Sequence, residues 1–157
     1  MERKEGAVLT AEECDEAVER LLAEPYHVID FLPVQVPADS AGQYFAAEAF
    51  FREPSRRKQL YRKFGDVLLG LNCYYDLTVT DGKGWKTNPP PADLRAMIEE
   101  CPENGFLNVL TGSEDSLITL YGGDLYMTLY HAPDDLLALT EKLVSAQGLF
   151  VRRGQGL

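Results

Sequence analysis

The stretch Leu117–His131, LITLYGGDLYMTLYH, decides the fold. Two alternating runs flank Gly122-Gly123, and paired glycines reach the positive φ angles of a two-residue hairpin loop at little steric cost. The reading is a β-hairpin in which Leu120 faces Leu125, Thr119 faces Tyr126, Ile118 faces Met127 and Leu117 faces Thr128. Successive strand residues point to opposite sides of a sheet. Ile118, Leu120, Leu125, Met127 and Leu129 therefore share an aliphatic core face. Thr119, Tyr121, Asp124, Tyr126, Thr128 and Tyr130 share the other, which is rich in hydroxyls and rings.

Upstream of the hairpin, Phe106–Leu110 is a further strand, so three consecutive strands form an antiparallel meander. Downstream, Pro133-Asp134-Asp135 opens a helix with Leu136, Leu139, Leu143 and Val144 inward, Gly148 stops it, and Leu149–Arg152 is a last strand. Earlier in the chain, Thr10-Ala11-Glu12-Glu13 is a capping box, and it starts a helix that ends before Pro25. That helix is apolar at Cys14, Ala17, Val18, Leu21 and Leu22 and acidic elsewhere. The segment from Tyr26 to Val36 is β-branched and aromatic, with Pro33 marking an edge strand or a stop near Leu32. Helical patterns cover Gln43–Phe51 and the run from Ser55 through Leu60, Phe64, Val67, Leu68 and Leu71, where Gly65 and Gly70 weaken the second. Cys73–Thr80 reads as a strand, Lys83–Pro91 with Trp85 as an extended loop, and Pro91 onward as a short helix with Leu94, Met97, Ile98 and Cys101 inward.

These elements predict an α+β fold. It is a single-domain antiparallel, or mixed, β-sheet with helices packed on one face and a β-β-β-α-β C-terminal half. The domain covers residues 1–157, with 1–9 and 153–157 expected to be flexible. At 157 residues and 45% hydrophobic composition, the chain can bury a full core without disulfides or metals.

The formal net charge is −10, which repels phosphate backbones and anionic membranes and attracts cationic surfaces. No apolar run has the length of a membrane-spanning helix, and the charged opening MERKEG is not followed by a signal-peptide core. The expectation is a cytoplasmic protein. Cys14, Cys73 and Cys101 are widely spaced among apolar neighbours and read as reduced, packed thiols.

Chemistry-bearing motifs are sparse. His27 and His131 are the only histidines: His27 alternates with Ile29 and Phe31, as a packed strand residue would, and His131 closes the hairpin beside two aspartates. No metal-ligand spacing occurs, so neither a metal nor a cofactor is expected. Asp30, Asp76 and Asp81 hold a magnesium ion only if two strands bring them together. Ser113 and Ser116 lie in a turn with no histidine at fixed spacing, and no phosphate loop or dinucleotide fingerprint is present.

Three functional readings follow. The first is a non-catalytic protein-interaction or regulatory module, of the immunity, antitoxin or adaptor kind. Its site is the partner- or ligand-binding face Thr119, Tyr121, Tyr126, Thr128, Tyr130 and His131, and its partner is a protein, a basic one or a second copy of the chain. The second is a small enzyme or ligand-binding domain with a Tyr/His/Asp pocket on the sheet, using Asp76 or Asp30. The third is an RNA-binding accessory protein acting through Arg56, Arg57, Lys58, Arg62 and Lys63. The overall acidity weighs against nucleic acid. It suits a basic run that is solvated or paired with the acidic first helix.

Overall fold

The computed structural model describes residues 8–112 and 116–154. Among them are helices α1 (Ala11–Leu21), α2 (Ala41–Arg52), α3 (Pro54–Asn72), α4 (Pro91–Glu99) and α5 (Asp134–Ala146). The strands are β1 (Tyr26–Asp30), β2 (Leu77–Thr80), β3 (Trp85–Thr87), β4 (Phe106–Thr111), β5 (Ser116–Tyr121), β6 (Tyr126–Tyr130) and β7 (Phe150–Arg153). All seven strands pair antiparallel in one sheet, in the order β3-β2-β4-β5-β6-β1-β7. The α+β single-sheet architecture and the β4-β5-β6 meander are as the sequence pattern predicts.

Alternation along the paired strands sorts the sheet into two faces. One carries Leu77, Val79, Leu107, Val109, Ile118, Leu120, Ile29, Met127 and Leu129, all buried. Helices α3, α4 and α5 cover it with Phe64, Val67, Leu68, Leu71, Leu94, Ile98, Leu136 and Val144. Gly70 does not break α3. A Cβ there would stand 2.8 Å from a Leu143 methyl, so the glycine marks the close approach of α5. The opposite face is not bare. Helix α1, begun by the Thr10–Glu13 capping box, seats Cys14, Ala17 and Leu21 on Leu110 and Leu117. Helices thus lie on both faces, with α1 packed on the second.

The hairpin itself departs from the expected turn. Leu117 pairs with Tyr130, Ile118 with Leu129 and Thr119 with Thr128, so the loop spans four residues, Gly122–Leu125, instead of two. It is closed by the Asp124 amide donating to the Tyr121 carbonyl at 2.9 Å. A slip of two residues leaves every side chain on its expected face, whereas a slip of one would invert them all. Neither Gly122 nor Gly123 is left-handed. Gly122 is needed because the backbone of the 102–105 turn lies against it: a Cβ would fall 1.6 Å from the Pro102 carbonyl oxygen. On the core side, the fully buried Tyr61 of α3 points its hydroxyl at the carbonyl oxygens of Tyr121 (3.1 Å), Gly122 (2.9 Å) and Asp124 (2.6 Å).

Other local expectations need correcting. Trp85 lies in β3, not in a loop, because its indole packs on α1 and donates to Asp15 at 3.0 Å. Asn88 then closes the strand, accepting from the Leu77 amide and donating to Asp76. Strand β1 is interior, between β6 and β7, and stops at Asp30, ahead of Pro33. Ser116 is a buried residue of β5 and not part of a turn. Cys14 and Cys101 are buried thiols, but Cys73 is exposed at the end of α3. Arg153 is in β7 and Gly154 donates its amide to the Tyr26 carbonyl at 3.0 Å, so the sheet holds both. The expectations for residues 1–7, 113–115 and 155–157 lie outside the described residues.

The two hairpin glycines have different roles, and substitution separates them. Gly122→Ala should destabilise the fold by about 1–3 kcal/mol or more, since rigid backbone has to move. Gly123→Ala, which meets only ordinary contact at 3.5 Å, should cost well under half as much. Urea unfolding of the two variants checks this; equal losses would restore a turn that needs both glycines.

Candidate functional site

Helix α1 covers only part of the second sheet face. The remainder, over β5, β6, β1 and β7, forms an open basin of about 360 Å³. Four phenol rings surround it: Tyr26 from β1, Tyr121 from β5, and Tyr126 and Tyr130 from β6. Pairing explains the convergence, because Tyr26 lies opposite Tyr130, with ring centroids 5.6 Å apart. Gly154 allows the Tyr26 ring to lie flat across β7, since a Cβ there would meet the ring at 2.1 Å. Thr128 and Val28, another cross-strand pair, make the floor.

Arg152 of β7 completes the wall. Its guanidinium donates to Asp30 Oδ2 at 3.1 Å, and Asp30 Oδ1 accepts from the Phe31 amide at 2.7 Å. The charge pair is largely shielded, and it leaves the basin close to neutral. Two of the phenols are shifted away from ionisation. Burial, then the nearby Asp124 carboxylate, pushes Tyr126 above its ordinary value. Burial, then Tyr121, does the same to Tyr130, while the neighbouring Thr119 opposes the shift. Asp124, hydrogen-bonded to Tyr126, is itself raised by burial. The basin offers aromatic faces and hydroxyl groups, with one paired guanidinium in its wall.

Of the residues marked from sequence, Tyr121, Tyr126, Thr128 and Tyr130 line this basin together, and Thr119 is buried beside Tyr130. His131 is not in it. It turns away after β6 with φ +57°, exposed, its carbonyl accepting from the Ser116 hydroxyl. Sequence reading missed Tyr26, Gln35, Arg152 and Gly154. YHVID and FVRR carry the alternation that places Tyr26, Asp30 and Arg152 on this face, but their neighbours become visible only once β1 is known to lie between β6 and β7.

The other candidates are separated. Asp30 is on β1, whereas Asp76 and Asp81 flank β2, four strands away, and among the described residues no His/Cys/Asp/Glu group is arranged to hold a metal. His27 is on the helix-covered face, near Glu141 of α5 and opposite Arg153. Its Nδ1 is buried without a hydrogen-bond partner.

The basic run of α3 is mostly neutralised, and not by α1, which lies across the sheet. Arg56 pairs with Glu53, Arg57 with the Cys101 carbonyl and Glu103, and Arg62 with Glu99 at 2.8 Å. Arg95 joins the last pair at 3.2 Å. The hydrogen bond from Arg62 holds the Glu99 carboxyl below the usual carboxylate range.

Among known proteins, no family model, no curated sequence and no solved structure matches this chain.

His27 gives the fold a pH dependence of known sign. Burial and then Arg153 lower its pKa below the ordinary 6.5, with Glu141 opposing. The unfolded chain therefore binds the proton more readily, and this contribution to stability is present above 6.5 and declines as pH falls through it. Between about pH 7 and about pH 5, Tm should fall more steeply in the parent protein than in His27→Gln. Parallel slopes would show that His27 is not held neutral.

Proposed function

We propose that this chain is a non-catalytic interaction module that binds a basic protein partner through the tyrosine basin. The observation that carries the reading is the convergence of Tyr26, Tyr121, Tyr126 and Tyr130, from three strands, on the one part of the sheet face that α1 leaves open. Rigid rings with hydroxyl tips supply contact area at low entropic cost and suit recognition surfaces. Tyr121 is 47% and Tyr126 39% exposed, which is high for large rings on a strand.

Charge supports the partner's sign. Glu12, Glu13, Asp15, Glu16 and Glu19 are exposed on α1, on the same side of the sheet as the basin. The arginines of α3 are on the far side and paired to carboxylates. A partner approaching the tyrosines comes from the side of the sheet that carries these carboxylates, so its lysines and arginines gain Coulomb steering as well as stacking on the rings. A second copy of this acidic chain fits that charge less well. The enzyme reading draws less support, because the basin is open and neutral, His131 stands outside it, and Asp30 is committed to Arg152. The RNA reading is weakened by the same ion pairs that neutralise α3. A cytoplasmic location remains part of the proposal; no helix of the described residues is long and apolar enough to cross a membrane.

The test compares affinity capture from the native cell by the parent protein and by the double variant Tyr121→Ala, Tyr126→Ala. Both side chains are partly exposed, so the variant should keep its fold, with a stability change of about 1 kcal/mol or less per site. A basic protein retained by the parent should be lost at least about tenfold from the variant. Retention of the same partner by both, or capture only of acidic proteins, would overturn the reading.

A further inference from the structure

A second cavity, on the other side of the sheet, is lined by two cationic side chains. It is a groove of about 390 Å³ between the end of α2, the first half of α3 and the turn from α5 into β7. Its floor is apolar: Phe31, Phe51, Leu60 and Leu149, with the Phe31 and Phe51 rings 4.8 Å apart. Phe50 stands edge-on to Phe51 at 5.4 Å, nearly half exposed, and the Arg56 guanidinium lies over it at 3.7 Å. Lys63 is on the same side of α3 two turns further on, roughly 10 Å along the axis.

Two features of this groove bear on what it can hold. No carboxylate lines it, although the chain holds 25 aspartates and glutamates. Arg56 leans on Glu53 from outside, but Lys63 makes no ion pair with any described residue, unlike Arg56, Arg57 and Arg62 beside it. An ammonium group at the edge of an apolar floor is satisfied by a ligand that has both a carboxylate head and an apolar body.

We propose that this groove binds an apolar monocarboxylate, of the chemistry of a medium-chain fatty acid. The body lies on Phe31, Phe51 and Leu149 and the head pairs with Lys63. The volume falls within the range of small-molecule sites. The global charge of −10 does not prevent this, because at physiological ionic strength fields fade over about 8 Å, and the local cations decide. The site is independent of the tyrosine basin, from which the sheet separates it.

The experiment titrates decanoate, below its micellar concentration, into the parent protein and into Lys63→Glu, with decylammonium as a control of equal body and opposite head. Calorimetry gives affinity and stoichiometry, and amide chemical shifts give location. Lys63 is exposed, and an unchanged Tm confirms that its variant folds. The expected result is saturable binding of one decanoate, shifts centred on Gln59, Gly148 and Leu149, and affinity at least about tenfold weaker in Lys63→Glu and for decylammonium. Absence of saturable binding, equal affinity for the two head groups, indifference to Lys63→Glu, or shifts centred on Tyr121 and Tyr126 would each overturn the proposal.

Discussion

The arrangement depends on one buried phenol. Tyr61 has no exposed surface, and its hydroxyl meets three carbonyl oxygens of the hairpin tip. Burial drives its ionisation well above the ordinary range, so it remains a hydrogen-bond donor. A polar tip driven through an apolar core is stable only if it is satisfied at the far end, and here the far end is the loop whose geometry fixes β5 against β6. The Pro102–Gly105 turn presses on Gly122 from its own side, with the Gly122 amide donating to the Gly105 carbonyl at 2.9 Å. Held between Tyr61 and that turn, the tip takes four residues and not two, and Tyr121 and Tyr126 are set at its shoulders.

From that constraint the division of surfaces follows. The aliphatic face is occupied by α3, α4 and α5. The opposite face is shared between α1, clamped by Trp85 and Asp15, and the basin. Charge follows the same division. Acidic side chains of α1 are on the same side of the sheet as the tyrosines, whereas the arginines of α3 and α4 lie on the far side within a web of Glu53, Asp66, Glu99 and Glu103. Exposed ion pairs of this kind contribute little to stability one at a time. Among the described residues they leave Lys63, beside the apolar groove, without a carboxylate of its own, and they leave the chain with two surfaces of different character.

Much of this was legible in the sequence because side-chain periodicity is local. The alternation in LITLY and LYMTLY sorts phenols from aliphatics whatever the loop length, since the observed register differs from the simplest one by an even number of residues. Capping at Thr10, proline at the start of α4, and Gly148 after α5 marked helix ends for the same local reason. What escaped was non-local. Gly122 reads as a turn glycine, and nothing in its neighbours reveals that Pro102 presses on it. Trp85 sits among glycines and prolines that suggest a loop, and it becomes a strand residue because α1, seventy positions earlier, offers Asp15. Tyr26 and Arg152 joined the basin only through the placement of β1 between β6 and β7. His131 was expected there by adjacency alone, and a left-handed residue turned it away.

The most direct test of this account is amide hydrogen exchange across the hairpin in the parent protein and in Tyr61→Phe, a change that deletes one oxygen and keeps the ring. The prediction is that protection falls selectively at Gly122, Asp124 and Tyr126, beyond the global loss of about 1–3 kcal/mol expected when buried carbonyls lose their donor. Protection in α3 and β4 should fall only by that global amount. Unchanged protection at the tip, or a loss spread evenly over the whole sheet, would show that the phenol does not hold the loop and would leave the placement of Tyr121 and Tyr126 without its cause.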